Sequence, residues 1–94
     1  MAGRVKIEKG SGNVFADLGF SGAVAENLML RAQLMSEIRE MVRGTTQALA
    51  AKRFGITQPR LNDLLRGKID KFSLDMLITL ASHAGITVRL EIAA

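Results

Sequence analysis

The sequence predicts a mainly α fold, four helices followed by one C-terminal β-strand that pairs in a homodimer. Three observations predict it. Apolar residues recur at intervals of three and four through most of the stretch from Val24 to Ala84. Gly44, Gly55, Gly67 and Gly85 interrupt that pattern where helices would end. From Ile86 to Ile92 the apolar period falls to two, the period of a strand.

Taken in order, residues 1–20 are expected to form a flexible N-terminal arm, and 21–94 the folded domain. Gly10, Ser11, Gly12 and Asn13 are a cluster of breakers. Before them Arg4, Val5, Lys6, Ile7 and Glu8 alternate polar and apolar, a strand-like run too short to specify a strand unaided. Ser21 is placed to cap a long helix whose stripe is Val24, Leu28, Leu30, Leu34, Met35, Ile38, Met41 and Val42. Gly44 ends it. Thr45 or Thr46 then caps a short helix in which Ala50 and Ala51 permit close approach of a neighbour and Phe54 supplies bulk. Gly55 suits the left-handed residue that closes that helix, and Ile56 fills the corner.

The next helix is capped by Thr57 and carries Pro59 in its first turn, where a missing N–H has no intrahelical partner to lose. Leu61, Leu64 and Leu65 are its inward stripe, and Gly67 ends it. Ser73 caps the last helix, which runs through Leu74, Met76, Leu77, Ile78, Leu80, Ala81 and Ala84 to Gly85. In the strand, Ile86, Val88, Leu90 and Ile92 alternate with Thr87, Arg89 and Glu91. Its backbone groups need a ladder partner. Either the Val5–Ile7 segment supplies one or a second copy of the chain does, and the second copy is preferred because it also enlarges a small core. The dimerisation residues are then Ile86, Val88, Arg89, Leu90, Glu91 and Ile92. A two-fold axis near Leu90 sets Arg89 against Glu91, whereas an axis at Arg89 opposes like charges.

Composition excludes several chemistries. Ninety-four residues give one small domain, and 48% hydrophobic content is too high for disorder. With no cysteine there are no disulfides, thiolate metal sites or cysteine nucleophile. A single histidine, His83 beside Ser82, has no assignable catalytic partner, so no enzyme, metal or cofactor is expected. The absence of Trp and Tyr removes the stacking platforms of single-strand RNA readers. Met29, Met35, Met41 and Met76 sit at helical spacing as core filler. No apolar run approaches the roughly 20 residues that span a bilayer, and the N-terminal segment lacks the apolar region of a secretory signal, so a cytoplasmic location is expected.

The charge points to a polyanion. Between Arg43 and Lys71 seven basic residues face only Asp63 and Asp70, a local charge of +5 in a chain of net +4. That stretch is also where two short helices flank a tight glycine turn, the layout of a DNA-reading helix-turn-helix. With Leu61, Leu64 and Leu65 inward, the second helix turns Gln58, Pro59, Asn62, Asp63 and Arg66 outward. Gln58 and Asn62 suit adenine, Asp63 suits the cytosine amino group, Arg60 suits guanine or a phosphate, and the Pro59 ring suits a thymine methyl. These five, Gln58, Pro59, Arg60, Asn62 and Asp63, are the candidate base readers. Arg43, Thr46, Gln47, Thr57, Arg66, Lys68 and Lys71 are the candidate backbone contacts, with Gln47 also placed to brace Gln58.

Thr46, Gln47, Ala50, Ala51, Gly55, Ile56, Thr57, Gln58 and Leu61 resemble the signature positions of Xre and lambdoid-repressor helix-turn-helix domains. The run from Gly55 to Leu77, with Asn13 to Phe20 upstream, is similar to the small Xre-type regulators resembling HigA antitoxins, and the likeness covers about residues 13–92. It implies a homodimeric repressor on a palindromic double-stranded operator and, for antitoxin members, neutralisation of a RelE-like toxin with control of the shared promoter. Leu49 departs from the pattern, which is charged or polar there, so it is expected to pack on the long helix or mark a partner surface. The competing classes are a stand-alone Xre regulator without a toxin and a protein-interaction module that never touches DNA.

Overall fold

A computed structural model describes the backbone of residues 3–7 and the whole of residues 14–92. In chain order these form β1 (Gly3–Ile7), α1 (Val14–Asp17), α2 (Gly22–Met41), α3 (Gln47–Phe54), α4 (Gln58–Leu65), a 3-10 turn at Ile69–Lys71, α5 (Leu74–His83) and β2 (Val88–Ile92). The four expected helices are α2 to α5. The expected strand, 86–92, is β2, but it starts at Val88: Ile86 is buried in the core with its amide donating to the Ala81 carbonyl, so it is not a free dimerisation residue.

Each helix starts and stops for a local reason. Thr46, Thr57 and Ser73 have extended backbones, and their hydroxyls accept from the amides of Leu49, Arg60 and Met76 at 3.3, 3.3 and 3.1 Å. Ser21 precedes α2 in the same extended conformation but makes no side-chain cap bond. Thr46, rather than Thr45, caps α3.

The core is one cluster to which α2, α3, α4 and α5 all contribute buried residues. Leu34, Met35 and Ile38 of α2 meet Phe54, Leu61, Leu64, Phe72 and Leu77, all essentially inaccessible to water. Ala50 and Ala51 are buried too, so α3 approaches its neighbours with no side chain beyond Cβ between them. Leu65 is only half-buried, and Val24, Met76 and Ile78, counted in apolar stripes above, are exposed. A stripe at helical spacing continues past the point where a short helix has a neighbour to bury against, and periodicity alone does not mark that point.

The span expected to be one flexible arm contains β1 and the single turn of α1. The Gly10–Asn13 breakers lie outside the described residues. Contrary to the preferred pairing, β2 finds its ladder partner within the chain: β1 and β2 are parallel, with Val5 opposite Leu90 and Ile7 opposite Ile92. A parallel pair needs a long crossover, and here the crossover is the whole helical domain. Ile86 is buried and Val88 packs on the core, but the strand then runs past it, leaving Leu90 62% and Ile92 80% exposed.

Candidate nucleic-acid interface

The α3–turn–α4 unit is built from residues that fix its bend. Gly55 has φ +70°, and its turn is closed by the Ile56 amide donating to the Ala51 carbonyl at 3.0 Å and the Gly55 amide to Lys52 at 3.1 Å. The left-handed conformation disfavours larger residues at Gly55, and a Cβ there would lie 3.3 Å from His83 Nδ1, a side-chain atom that would have to shift by a few tenths of an ångström. The ends of α3 and α5 are tied reciprocally. Arg53 of α3 donates through Nε and Nη2 to the Ala84 carbonyl at 3.3 and 3.2 Å. His83 of α5 places Nδ1 3.4 Å from the Phe54 carbonyl, a donor position when that nitrogen carries the proton. His83 is thus a surface residue bracing the turn.

Along α4, Leu61 and Leu64 are fully buried while Gln58 and Pro59 are exposed and Asn62 is half-exposed. Thr57 caps the helix and Pro59 lies in its first turn, so the N-terminal end of α4 carries Gln58 on a rigid backbone. The side chains of Gln58 and Asn62 make no hydrogen bond among the described residues, which leaves their amide donors and acceptors available. The expected brace is missing: Gln47 is exposed and no hydrogen bond joins it to Gln58 among the described residues.

Arg60 and Asp63 are engaged within the chain. The Arg60 guanidinium lies over the Phe72 ring, Cζ 4.2 Å from its centroid, with Nη2 3.8 Å from the Met76 sulfur. Met76 therefore supports Arg60 from the surface instead of filling the core. Asp63 Oδ1 is 3.2 Å from Lys68 Nζ, and Oδ2 is 3.4 Å from Lys71 Nζ. The Lys68 hydrogen bond, with its charge and that of Lys71, outweighs partial desolvation and holds the Asp63 carboxyl below its ordinary value of 3.8. Of the expected backbone contacts, Thr46 and Thr57 serve as caps, Arg66 is exposed at the end of α4, and Arg43 pairs at 3.1 Å with Glu40 where both are well exposed. Such an exposed pair is a weak tie that a phosphate can replace.

Two residues in this region had not been singled out. Phe72 is the floor under Arg60 and packs in the same cluster as Leu77. A large apolar residue just before a capping Ser, with another four positions into the helix, is a readable hydrophobic staple. Arg31 of α2 reaches the carbonyls of Ile69 and Phe72, both at 3.3 Å, and pins the 3-10 turn that carries Lys71. Its partners lie 38 and 41 positions away, so no local pattern announces it.

Elsewhere, Leu49 is 61% exposed on α3, and Val14, Leu18, Phe20 and Val24 are exposed around α1 and the start of α2. Among the described residues no helix is long and apolar enough to cross a membrane. A family model described as a helix-turn-helix domain matches residues 14–93, nearly the whole chain. No curated protein matches it.

Proposed function

The chain belongs to the helix-turn-helix domain family, and on that premise we propose that it is a sequence-specific DNA-binding repressor acting as a homodimer on a palindromic operator. The observation that carries this reading is α4 itself. It is capped and buried on one side, and on the other it offers Gln58 and Asn62 with their side-chain amides uncommitted, and the exposed Pro59 ring. Inserted into the major groove, Gln58 and Asn62 pair with adenine edges and the Pro59 ring meets a thymine methyl. Arg60 and Asp63 complete the candidate readers once their internal partners are exchanged for bases. Arg43, Thr46, Gln47, Thr57, Arg66, Lys68 and Lys71 are the residues assigned to the phosphates.

A second copy docks on β2. The edge of β2 away from β1 has no strand beside it among the described residues. Antiparallel pairing there, with the two-fold axis near Leu90, covers exposed Leu90 and Ile92 and sets Arg89 opposite Glu91. Selection of duplexes from a random pool tests the reading: it predicts two inverted half-sites about one helical turn apart. Enrichment of no sequence would overturn it.

The antitoxin role is a finer proposal. It is supported by the likeness of Gly55–Leu77 to HigA-like antitoxins and by exposed Leu18, Phe20 and Leu49, which give a protein partner apolar surface to cover. Co-purification of a short basic toxin encoded beside this chain, with loss of its ribonuclease activity, is the expected result. A chain that binds its operator and no such neighbour is a stand-alone regulator.

A further inference from the structure

Asp63 sits on the face proposed to read bases, yet both its oxygens are occupied by lysines proposed to hold phosphates. This arrangement is built into the backbone. Gly67, at φ +73°, ends α4 with the Lys68 amide donating to the Asp63 carbonyl at 3.1 Å and the Gly67 amide to Leu64 at 3.1 Å. The turn folds Lys68 back over Asp63. Lys71 arrives on the 3-10 turn that Arg31 pins through Ile69 and Phe72. The carboxylate is the more enclosed partner, 21% exposed against 41% and 49% for the lysines, so the cations have freedom to leave and the anion does not.

Consider α4 entering a major groove. Asp63 offsets much of the charge that Lys68 and Lys71 offer a phosphate, so full engagement of the backbone draws them off Asp63, which is then a bare carboxylate facing the groove. Opposite guanine or thymine it meets acceptor atoms, and like charge repels it from the phosphates. Opposite cytosine it meets the N4 amino donor with no acceptor on the same base edge, a group that replaces a lysine as a hydrogen-bond partner. Adenine N6 is a donor beside the N7 acceptor, a poorer exchange for an ionised carboxylate.

We propose that Asp63 couples phosphate contact to base identity: its carboxylate keeps Lys68 and Lys71 off the backbone of a wrong duplex and releases them where a cytosine amino group takes their place. Asp63 is then a specificity-determining residue that acts chiefly by lowering affinity for non-operator DNA. This rests on the DNA-reading proposal above and adds a partner exchange to it. A carboxylate that merely contacted cytosine would raise operator affinity and leave other duplexes unaffected.

The test is a salt series of fluorescence anisotropy on the full chain, with the selected operator and a shuffled duplex. Each neutralised phosphate contributes about 0.9 to the slope of log K against log salt. For the wild type the operator slope exceeds the shuffled slope by roughly 1.8 per bound subunit, two lysines' worth. In Asp63→Asn the shuffled slope steepens by that amount and shuffled-duplex affinity rises on the order of tenfold, while operator affinity changes less. The double variant Lys68→Gln/Lys71→Gln lowers the operator slope to the shuffled one. Circular dichroism melts of each variant confirm that it is folded. Wild-type preference for the operator with an Asp63→Asn shuffled slope unchanged would overturn the coupling and leave the DNA-reading proposal standing. Equal wild-type binding to both duplexes would overturn both.

Discussion

At the residue scale, the side chains of α4 divide by whether the chain has already used them. Gln58 touches nothing that holds the fold, so Gln58→Ala should leave the melting temperature unchanged and cost ~1–3 kcal/mol of discrimination at one operator position, read by competition binding. Arg60 behaves differently. It covers Phe72 and contacts Met76, so Arg60→Ala should lower stability by about 1 kcal/mol, measured by urea denaturation, whatever it does to DNA binding. Asp63 carries a pH signature. Its native carboxyl is held below 3.8, so between the two values the unfolded chain binds more protons than the native one. Its contribution to stability is complete above 3.8 and is lost as pH falls through the lower native value. Denaturation series from about pH 5 downward should therefore show a shallower acid-side loss in Asp63→Asn than in the wild type.

At the scale of elements, the bend between α3 and α4 depends on Gly55 and on the Thr57 cap. Gly55→Ala forces a left-handed alanine, costing roughly 1–2 kcal/mol, against His83 at 3.3 Å. Thr57→Ala removes one cap bond and should cost about 1 kcal/mol by thermal melting. These features were legible in the sequence because caps, glycine turns and apolar period are local: α2 to α5 fall where Thr46, Thr57, Ser73, Gly55 and Gly85 place them, and β2 occupies the last five residues of the period-two run, Ile86 having been drawn into the core. What the sequence left undecided was non-local. The Val5–Ile7 run was legible as strand-like and as one of two possible ladder partners, but β1 and β2 are 85 positions apart in register, from Gly3 to Val88, and no local pattern chooses that pairing over a second copy. On the interface, the outward placement of Gln58 and Pro59 followed from the buried leucines. The commitments of Arg60 to Phe72 and of Asp63 to Lys68 and Lys71 depended on the chain folding back after Gly67, which a helical wheel does not represent.

At the scale of the whole molecule, the proposed DNA-reading helix is accompanied by a C-terminal strand whose last apolar residues stay exposed. Leu90 and Ile92 extend beyond a core that ends at Val88, and a domain of 94 residues has few other ways to enlarge its buried surface. On the proposed homodimer, Leu90→Arg should convert dimer to monomer in analytical ultracentrifugation and weaken operator binding far more than it weakens the fold, because a monomer brings one proposed recognition helix to the two half-sites. The most direct measurement of the central claim, that α4 reads sequence, is anisotropy of the wild type and Gln58→Ala on the selected operator and its shuffled counterpart at one fixed salt concentration. Operator preference in the wild type that falls at least tenfold in Gln58→Ala, with shuffled-duplex binding unchanged, is the predicted result. Equal preference in the two proteins, or none in either, would contradict it.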